Sequence, residues 1–138
     1  MIYQIDVTVT TPVHPTEVTD RVEKAVLAIF PEATVSHESN QLVATSHSMS
    51  TFSELLHRRE ILDTARSAMF NGRSGNRIQF RLSKQAAWQG VLTFAVGEPA
   101  ELGDLDVDIE VHEPDVESFI DQIAPRTEDG RPVEPSKR

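Results

Sequence analysis

Alternating apolar and polar residues predict three strands directly. Residues 1–10, 76–83 and 104–111 each place an apolar side chain at every second position. This period of two is typical of a strand with one buried side and one solvent-facing side. The segments 33–38 and 41–46 flank Ser39-Asn40 and predict a hairpin. A sixth strand is predicted over residues 90–96.

Apolar residues at helical spacing predict three helices. The first covers residues 16–30 and ends at Pro31, because proline cannot continue the helical hydrogen bonds. The second covers residues 51–71 and ends at Asn71-Gly72, since both residues tolerate a left-handed backbone. The third begins near Pro114, a residue that suits the first helical turn.

The order of these elements predicts the fold class. Strand, helix, two strands, helix, three strands and helix indicate an α+β domain over residues 1–125. We expect a largely antiparallel sheet of about six strands with helices on one face. Residues 84–88 fit a single helical turn, and residues 126–138 predict a polar C-terminal tail that is loose at its end.

Composition also predicts the habitat of the organism and the cellular compartment of the protein. The chain has 22 acidic residues, ten arginines and only three lysines, and its net charge is −9. Such acid-rich, lysine-poor surfaces keep proteins soluble in a salty cytoplasm, so we predict a halophilic, cytoplasmic protein. No apolar run is long enough for a membrane span, and no signal segment opens the chain.

Charge is distributed unevenly along the chain. Residues 57–84 hold seven basic and two acidic residues, so this window carries +5 in an acidic protein. The window predicts an anion-binding surface in which four basic residues contact RNA phosphates: Arg73, Arg77, Arg81 and Lys84. Phe80 points inward and Trp88 is the only uncommitted large aromatic, which favours structured or double-stranded RNA over a stacked single strand.

An alternative interpretation makes the same charges structural. The outer side of the strand over residues 104–110 is wholly acidic. If it lies beside residues 77–81, the acidic side chains pair with the arginines across the sheet. The relative placement of the two strands therefore decides between a binding surface and a neutralised sheet.

A second basic feature lies on the predicted helix 51–71. Arg59, Asp63 and Arg66 are spaced to form a charged ladder between two apolar edges. The ladder is either an internal salt-bridge network or a contact for an anionic ligand or a second subunit.

Catalytic and metal-binding patterns are weak. The chain has no Gly-x-Ser-x-Gly elbow, and none of its five histidines forms an i, i+4 pair. The absence of cysteine excludes disulfides and thiolate metal sites. We therefore predict a protein that is not an enzyme, with no metal site and no cofactor.

Four segments carry a family resemblance. Residues 60–67, 72–76, 83–87 and 123–127 read EILDTARS, GRSGN, SKQAA and IAPRT. Over nearly its whole length the chain resembles archaeal uncharacterised protein family 0201, and its composition suggests a haloarchaeal member. The resemblance implies an α+β fold similar to ribosomal protein L-five, a homodimer, and RNA binding linked to the exosome. It implies no catalytic residues and adds Asn76 and Gln85 to the candidate RNA-binding site.

The leading hypothesis is thus a dimeric, non-enzymatic RNA-binding protein. The alternative is a dimeric protein-interaction module without RNA binding, in which the ladder packs against a partner subunit.

Overall fold

A computed structural model describes residues 3–128 and 131–132, and within them the chain forms one six-stranded sheet, one two-stranded ladder and five helices. The strands of the main sheet are β1 (Gln4–Pro12), β2 (Thr34–Glu38), β3 (Gln41–Ser46), β4 (Arg73–Ser74), β5 (Arg77–Leu82) and β6 (Leu105–Glu113). The helices are α1 (Thr19–Ile29), α2 (Ser50–Arg58), α3 (Leu62–Asn71), α4 (Lys84–Trp88) and α5 (Val116–Ile123). The strand order is β2-β3-β1-β6-β5-β4, and every pairing in it is antiparallel.

The predicted α+β class and antiparallel sheet are confirmed. Strands β1, β5 and β6 bury every second side chain, and the buried set joins the apolar sides of the helices in one core. Phe52 lies at the centre of an aromatic cluster with Phe30, Phe80 and Phe94. The opposite side of the sheet carries the polar residues of the alternation.

The predicted strand over residues 90–96 is wrong. Only Phe94 forms an isolated bridge, to Leu82, supported by hydrogen bonds from Ser83 N to Thr93 O (2.8 Å) and from Ala95 N to Arg81 O (3.0 Å). Gly90 and Gly97 flank the segment with positive φ angles of 72° and 74°. Between these turns, only the segment around Phe94 pairs with the end of β5.

The single helix predicted over residues 51–71 is also wrong. Glu60 takes a left-handed φ of 56° and separates α2 from α3. Leu56 and Leu62 are both buried, yet six residues of a continuous helix would place them about 120° apart. The break turns both side chains into the core.

The helices are short, and α1 is the longest of those described, with 11 residues. Among the described residues, no helix has the length and hydropathy that crossing a bilayer requires.

Part of the predicted tail is ordered against the domain. Strands β7 (Thr127–Glu128) and β8 (Arg131–Pro132) form a small antiparallel ladder. The Thr127 hydroxyl donates to both carboxylate oxygens of Asp63 in α3, at 2.8 and 3.0 Å. The predicted loose end falls on residues 133–138, which lie outside the described residues.

Gly72 ends α3 as predicted, but for a different physical reason. Its φ of −92° is not left-handed. A Cβ atom at this position would lie 1.7 Å from the carbonyl oxygen of Gln79. The Gly72 carbonyl also accepts from Gln79 N at 2.9 Å, so glycine is required by close contact with the backbone of β5.

We expect Gly72→Ala to lower the free energy of unfolding by about 3 kcal/mol, because backbone atoms on both sides resist displacement. Urea denaturation monitored by circular dichroism measures this. Gly75→Ala is the matched control: Gly75 has a φ of 59° and open space around it, so its cost is backbone strain of about 1 kcal/mol. Equal losses in the two variants would contradict the close-contact explanation.

Candidate nucleic-acid interface

The acidic strand lies directly beside the basic strand. Strands β5 and β6 are neighbours, and their register places Arg77 opposite Glu110, Gln79 opposite Asp108 and Arg81 opposite Asp106. Opposite charges at such positions attract across the ladder. The alternative interpretation of the charge window is therefore correct for this part of the sheet.

Arg81 is held by the protein itself. Its Nη1 lies 2.9 Å from Asp104 Oδ2, and its Nη2 donates to the Gly97 carbonyl. The Asp104 side chain is only 5% exposed, so Arg81 supplies the countercharge of a buried acid. Desolvation and the nearby charge of Asp104 raise the pKa of Asp106 above its usual value. Arg81 is thus the wrong residue for a free phosphate contact.

Arg77 is held more loosely. Its Nε lies 3.6 Å from Asp108 Oδ1 and its Nη1 lies 3.8 Å from Glu110 Oε1, beyond hydrogen-bond distance. The Arg77 side chain remains 47% exposed. It is partly neutralised by β6 but free to reorient toward a ligand.

Lys84 is the clearest error among the predicted phosphate contacts. Its side chain has no exposed surface. The Nζ atom donates to the carbonyls of Pro12 (2.7 Å) and Leu102 (2.6 Å) and to both carboxylate oxygens of Glu17 (3.1 and 3.2 Å). All donors of the ammonium group are used, and RNA has no access to it.

The β4–β5 hairpin retains the best surface for an anion. Residues 73–77 are all exposed, and Gly75-Asn76 forms the turn between the strands. The Asn76 carbonyl accepts from Val111 N at 2.8 Å and anchors the hairpin to β6. Arg73 makes no ion pair within 4.0 Å among the described residues. Hydrogen bonds from Ser118 are the main cause of the lowered pKa of Asp115, and the charge of Arg73 contributes a smaller part.

Gln85 is exposed but lies on α4, which follows the other end of β5. The six residues of β5 separate it from the hairpin by about 17 Å. The structure therefore brings together Arg73, Asn76 and Arg77, while Gln85 lies apart.

The predicted Arg59–Asp63–Arg66 ladder is not formed. The break at Glu60 leaves Arg59 exposed, and Asp63 accepts from Thr127 instead.

Arg66 binds α5 rather than Asp63. Its Nη1 lies 2.7 Å from Asp121 Oδ1 and donates to the Ala124 carbonyl at 3.2 Å, and its guanidinium lies 5.0 Å from the centre of the Phe70 ring. Arg66 therefore joins α3 to α5.

A groove of about 980 Å³ beside α3 and the edge of β5 does not suit RNA. Its charged lining residues are Arg81, Asp106 and Asp108. Arg81 is paired with Asp104, so the negative charges of Asp106 and Asp108 dominate the groove and repel phosphate.

Sequence reasoning missed a second basic surface, beside Trp88. A recess of about 510 Å³ is lined by Arg21 and Lys24 of α1 together with Trp88, whose surface is 41% exposed. Neither cation makes an ion pair within 4.0 Å in the described part of the chain. The i, i+3 spacing of Arg21 and Lys24 indicates that they share one side of α1. Only the packing of α1 against α4 places them near Trp88.

We expect Lys84→Met to lower the free energy of unfolding by about 3–5 kcal/mol, because it leaves the Glu17 carboxylate buried without a countercharge. Equilibrium urea denaturation measures the loss. The double variant Glu17→Gln/Lys84→Met should recover part of it, since neither charge is then left alone. If Lys84→Met were as stable as the wild type but bound RNA more weakly, Lys84 would instead be a residue that contacts RNA.

Comparison with known proteins places the chain in a family. A family model described as RNA binding matches residues 6–112. A UPF0200/UPF0201 protein of Archaeoglobus fulgidus is 38% identical over 130 residues, which cover 94% of this chain and 40% of that protein. A UPF0201 protein of Methanopyrus kandleri is 35% identical over 141 residues, covering 92% of this chain and 89% of that one.

Solved structures agree with this placement. The crystal structure of a UPF0201 protein from Methanococcus jannaschii matches with a TM-score of 0.86 and 34% identity, covering 93% of this chain and 98% of that chain. A second UPF0201 crystal structure matches with a TM-score of 0.83 and 36% identity, covering 93% and 99% of the two chains. The chain therefore belongs to the UPF0201 family of archaeal proteins, with a domain that matches the RNA-binding family model.

Proposed function

We propose that this protein binds structured RNA and that the tip of the β4–β5 hairpin makes the central phosphate contact. The observation that carries the proposal is the exposure of all five residues from Arg73 to Arg77. The hairpin places two exposed cations of the 57–84 window, Arg73 and Arg77, within five residues of each other. The match of residues 6–112 to the RNA-binding family model supports the same function.

The chemistry of the hairpin fits a phosphodiester backbone. Two guanidinium groups can each donate a pair of hydrogen bonds to phosphate oxygens. Gly75 lacks a side chain, and a Cβ atom at this position would meet no other atom within 4 Å beyond its chain neighbours, so the RNA backbone can approach the turn closely. Ser74 and Asn76 add neutral donors beside the two arginines. Such a surface reads shape and backbone rather than base sequence, as proteins that bind double-stranded RNA do.

The surrounding charge limits the size of the interface. The neighbouring strand β6 is acidic, and the whole chain carries −9. RNA is therefore attracted to the hairpin and repelled from most other surfaces, which favours a small contact with a defined orientation. Few phosphate contacts also mean a modest dependence on salt, as function in a salty cytoplasm would require.

We expect Arg73→Gln/Arg77→Gln to weaken binding to an RNA hairpin at least tenfold at 0.15 M potassium chloride. The slope of log K against log salt should become shallower by about 1.8, or about 0.9 for each lost phosphate contact. Fluorescence anisotropy of labelled RNA over a range of salt concentrations measures both quantities, with circular dichroism confirming the fold at each salt.

Arg58→Gln/Arg59→Gln is the matched control, because it removes two exposed cations at the end of α2. Its affinity and salt slope should remain unchanged. Equal losses in the two double variants would mean non-specific attraction, and no RNA binding in the folded wild type would reject the proposal. Trp88 reports the second basic surface: quenching of its fluorescence by RNA would extend the interface to Arg21 and Lys24.

Several finer features belong to the same proposal. We take the protein to be a non-enzymatic factor of the cytoplasm. Association with the exosome, the likeness to ribosomal protein L-five and the haloarchaeal type remain predictions supported by the family resemblance and by composition.

The second candidate function is a dimeric interaction module, and strand β2 favours it. This strand lies at one border of the sheet, and four of its five residues are exposed. An open border can pair with the same strand of a second copy.

Light scattering after gel filtration should then give twice the 15.4 kDa mass of one chain. A mass of 15.4 kDa at micromolar concentration would reject the dimer.

A further inference from the structure

Two histidines and two carboxylates converge on the polar side of the sheet, where Glu110 of the cluster lies beside Arg77 of the β4–β5 hairpin. His112 Nε2 lies 2.7 Å from Asp6 Oδ2 and 3.9 Å from Glu110 Oε1. One ligand atom from each of Asp6, Glu110 and His112 lies within 4.8 Å of the other two. His47 approaches the second oxygen of Asp6, with Nδ1 at 3.0 Å from Oδ1.

The sheet topology explains why these residues meet. The register of β1 and β6 places Asp6 opposite Glu110, and His112 follows two residues later on the same side of β6. The register then shifts: Ile5 pairs with Val111 but Gln4 pairs with Glu113, so His112 is the extra residue of a β-bulge. Bulges bend a strand locally and redirect a side chain, and they are over-represented next to functional sites.

We propose that Asp6, Glu110 and His112 bind a divalent transition-metal ion such as Zn²⁺, with His47 available as a fourth ligand. Imidazole nitrogen and carboxylate oxygen are ligands that zinc takes at about 2.0–2.2 Å, which puts neighbouring ligand atoms of a tetrahedron about 3.4 Å apart. The observed spacings of 2.7 and 3.9 Å from His112 to the two carboxylates lie on either side of that value. The His47 side chain is 83% exposed, so it can rotate to complete the set.

Asp6 and His112 form a close charged pair within this cluster. The hydrogen bond with Asp6 raises the pKa of His112 and lowers the pKa of Asp6. Asp6 and Glu110 face His112, His47 faces Asp6, and Arg77 lies 3.8 Å from Glu110.

Isothermal titration with zinc chloride tests the site, in buffer with excess Mg²⁺ that occupies non-specific carboxylate surfaces. We expect one Zn²⁺ per chain at pH 7.5 and an affinity at least tenfold weaker for His112→Gln. His37→Gln is the matched control, because His37 also pairs with a carboxylate, Glu23, at 2.8 Å but belongs to no described three-ligand cluster. Its zinc affinity should equal that of the wild type.

Absence of saturable binding to the wild type would overturn the proposal, as would equal losses in the His112 and His37 variants. Asp6→Asn provides a second variant if His112→Gln alters the fold, and it should weaken binding to a similar extent. Visible absorption of bound Co²⁺ gives an independent readout. The absorption bands of Co²⁺ with few nitrogen and oxygen ligands should appear in the wild type and disappear in His112→Gln and in Asp6→Asn. None of these outcomes depends on RNA binding.

Discussion

The buried ammonium group of Lys84 is the interaction on which the arrangement of the domain depends. It connects the end of β1, the loop before α1, the start of α4 and the loop before β6 through Pro12, Glu17 and Leu102. A buried charge is tolerable only when every donor is satisfied. The four segments must therefore come together as a unit, which also places α4 against α1 and Trp88 beside Arg21.

Local charge is a poor guide to function when the partner strand is unknown. The +5 window describes neighbours along the chain, whereas electrostatics depends on neighbours in space. Asp104, immediately before β6, neutralises Arg81, and Asp108 and Glu110 of β6 partly neutralise the charge of Arg77. Of the four basic residues predicted to contact phosphates, only Arg73 and Arg77 at the hairpin remain accessible. An acidic protein can thus present small cationic elements, while its overall charge repels anions from most of its surface.

Strands with one-sided burial could be predicted from the sequence, because alternation records the two sides of a sheet. This logic located β1, β5 and β6, and the turn residues Ser39-Asn40 located the hairpin of β2 and β3. It failed where a side chain's environment depends on residues distant in sequence. Lys84 is buried against Pro12 and Leu102, and Arg66 pairs with Asp121 rather than Asp63. It also failed at Glu60, because a left-handed residue other than glycine leaves no mark in hydrophobic spacing. Most of the fold was therefore predictable, but the site was predictable only in part.

The central position of β6 has a consequence for how the chain folds during synthesis. Strands β1, β2 and β3 can assemble as one three-stranded unit, and β4 and β5 as a hairpin, before residues 105–113 leave the ribosome. Gln4 pairs with Glu113, so the two units become one continuous sheet only when the last main strand inserts between them. Pairing over such a separation closes a long loop and slows folding. Until then β1 and β5 each expose an unpaired edge to chaperones and to other nascent chains.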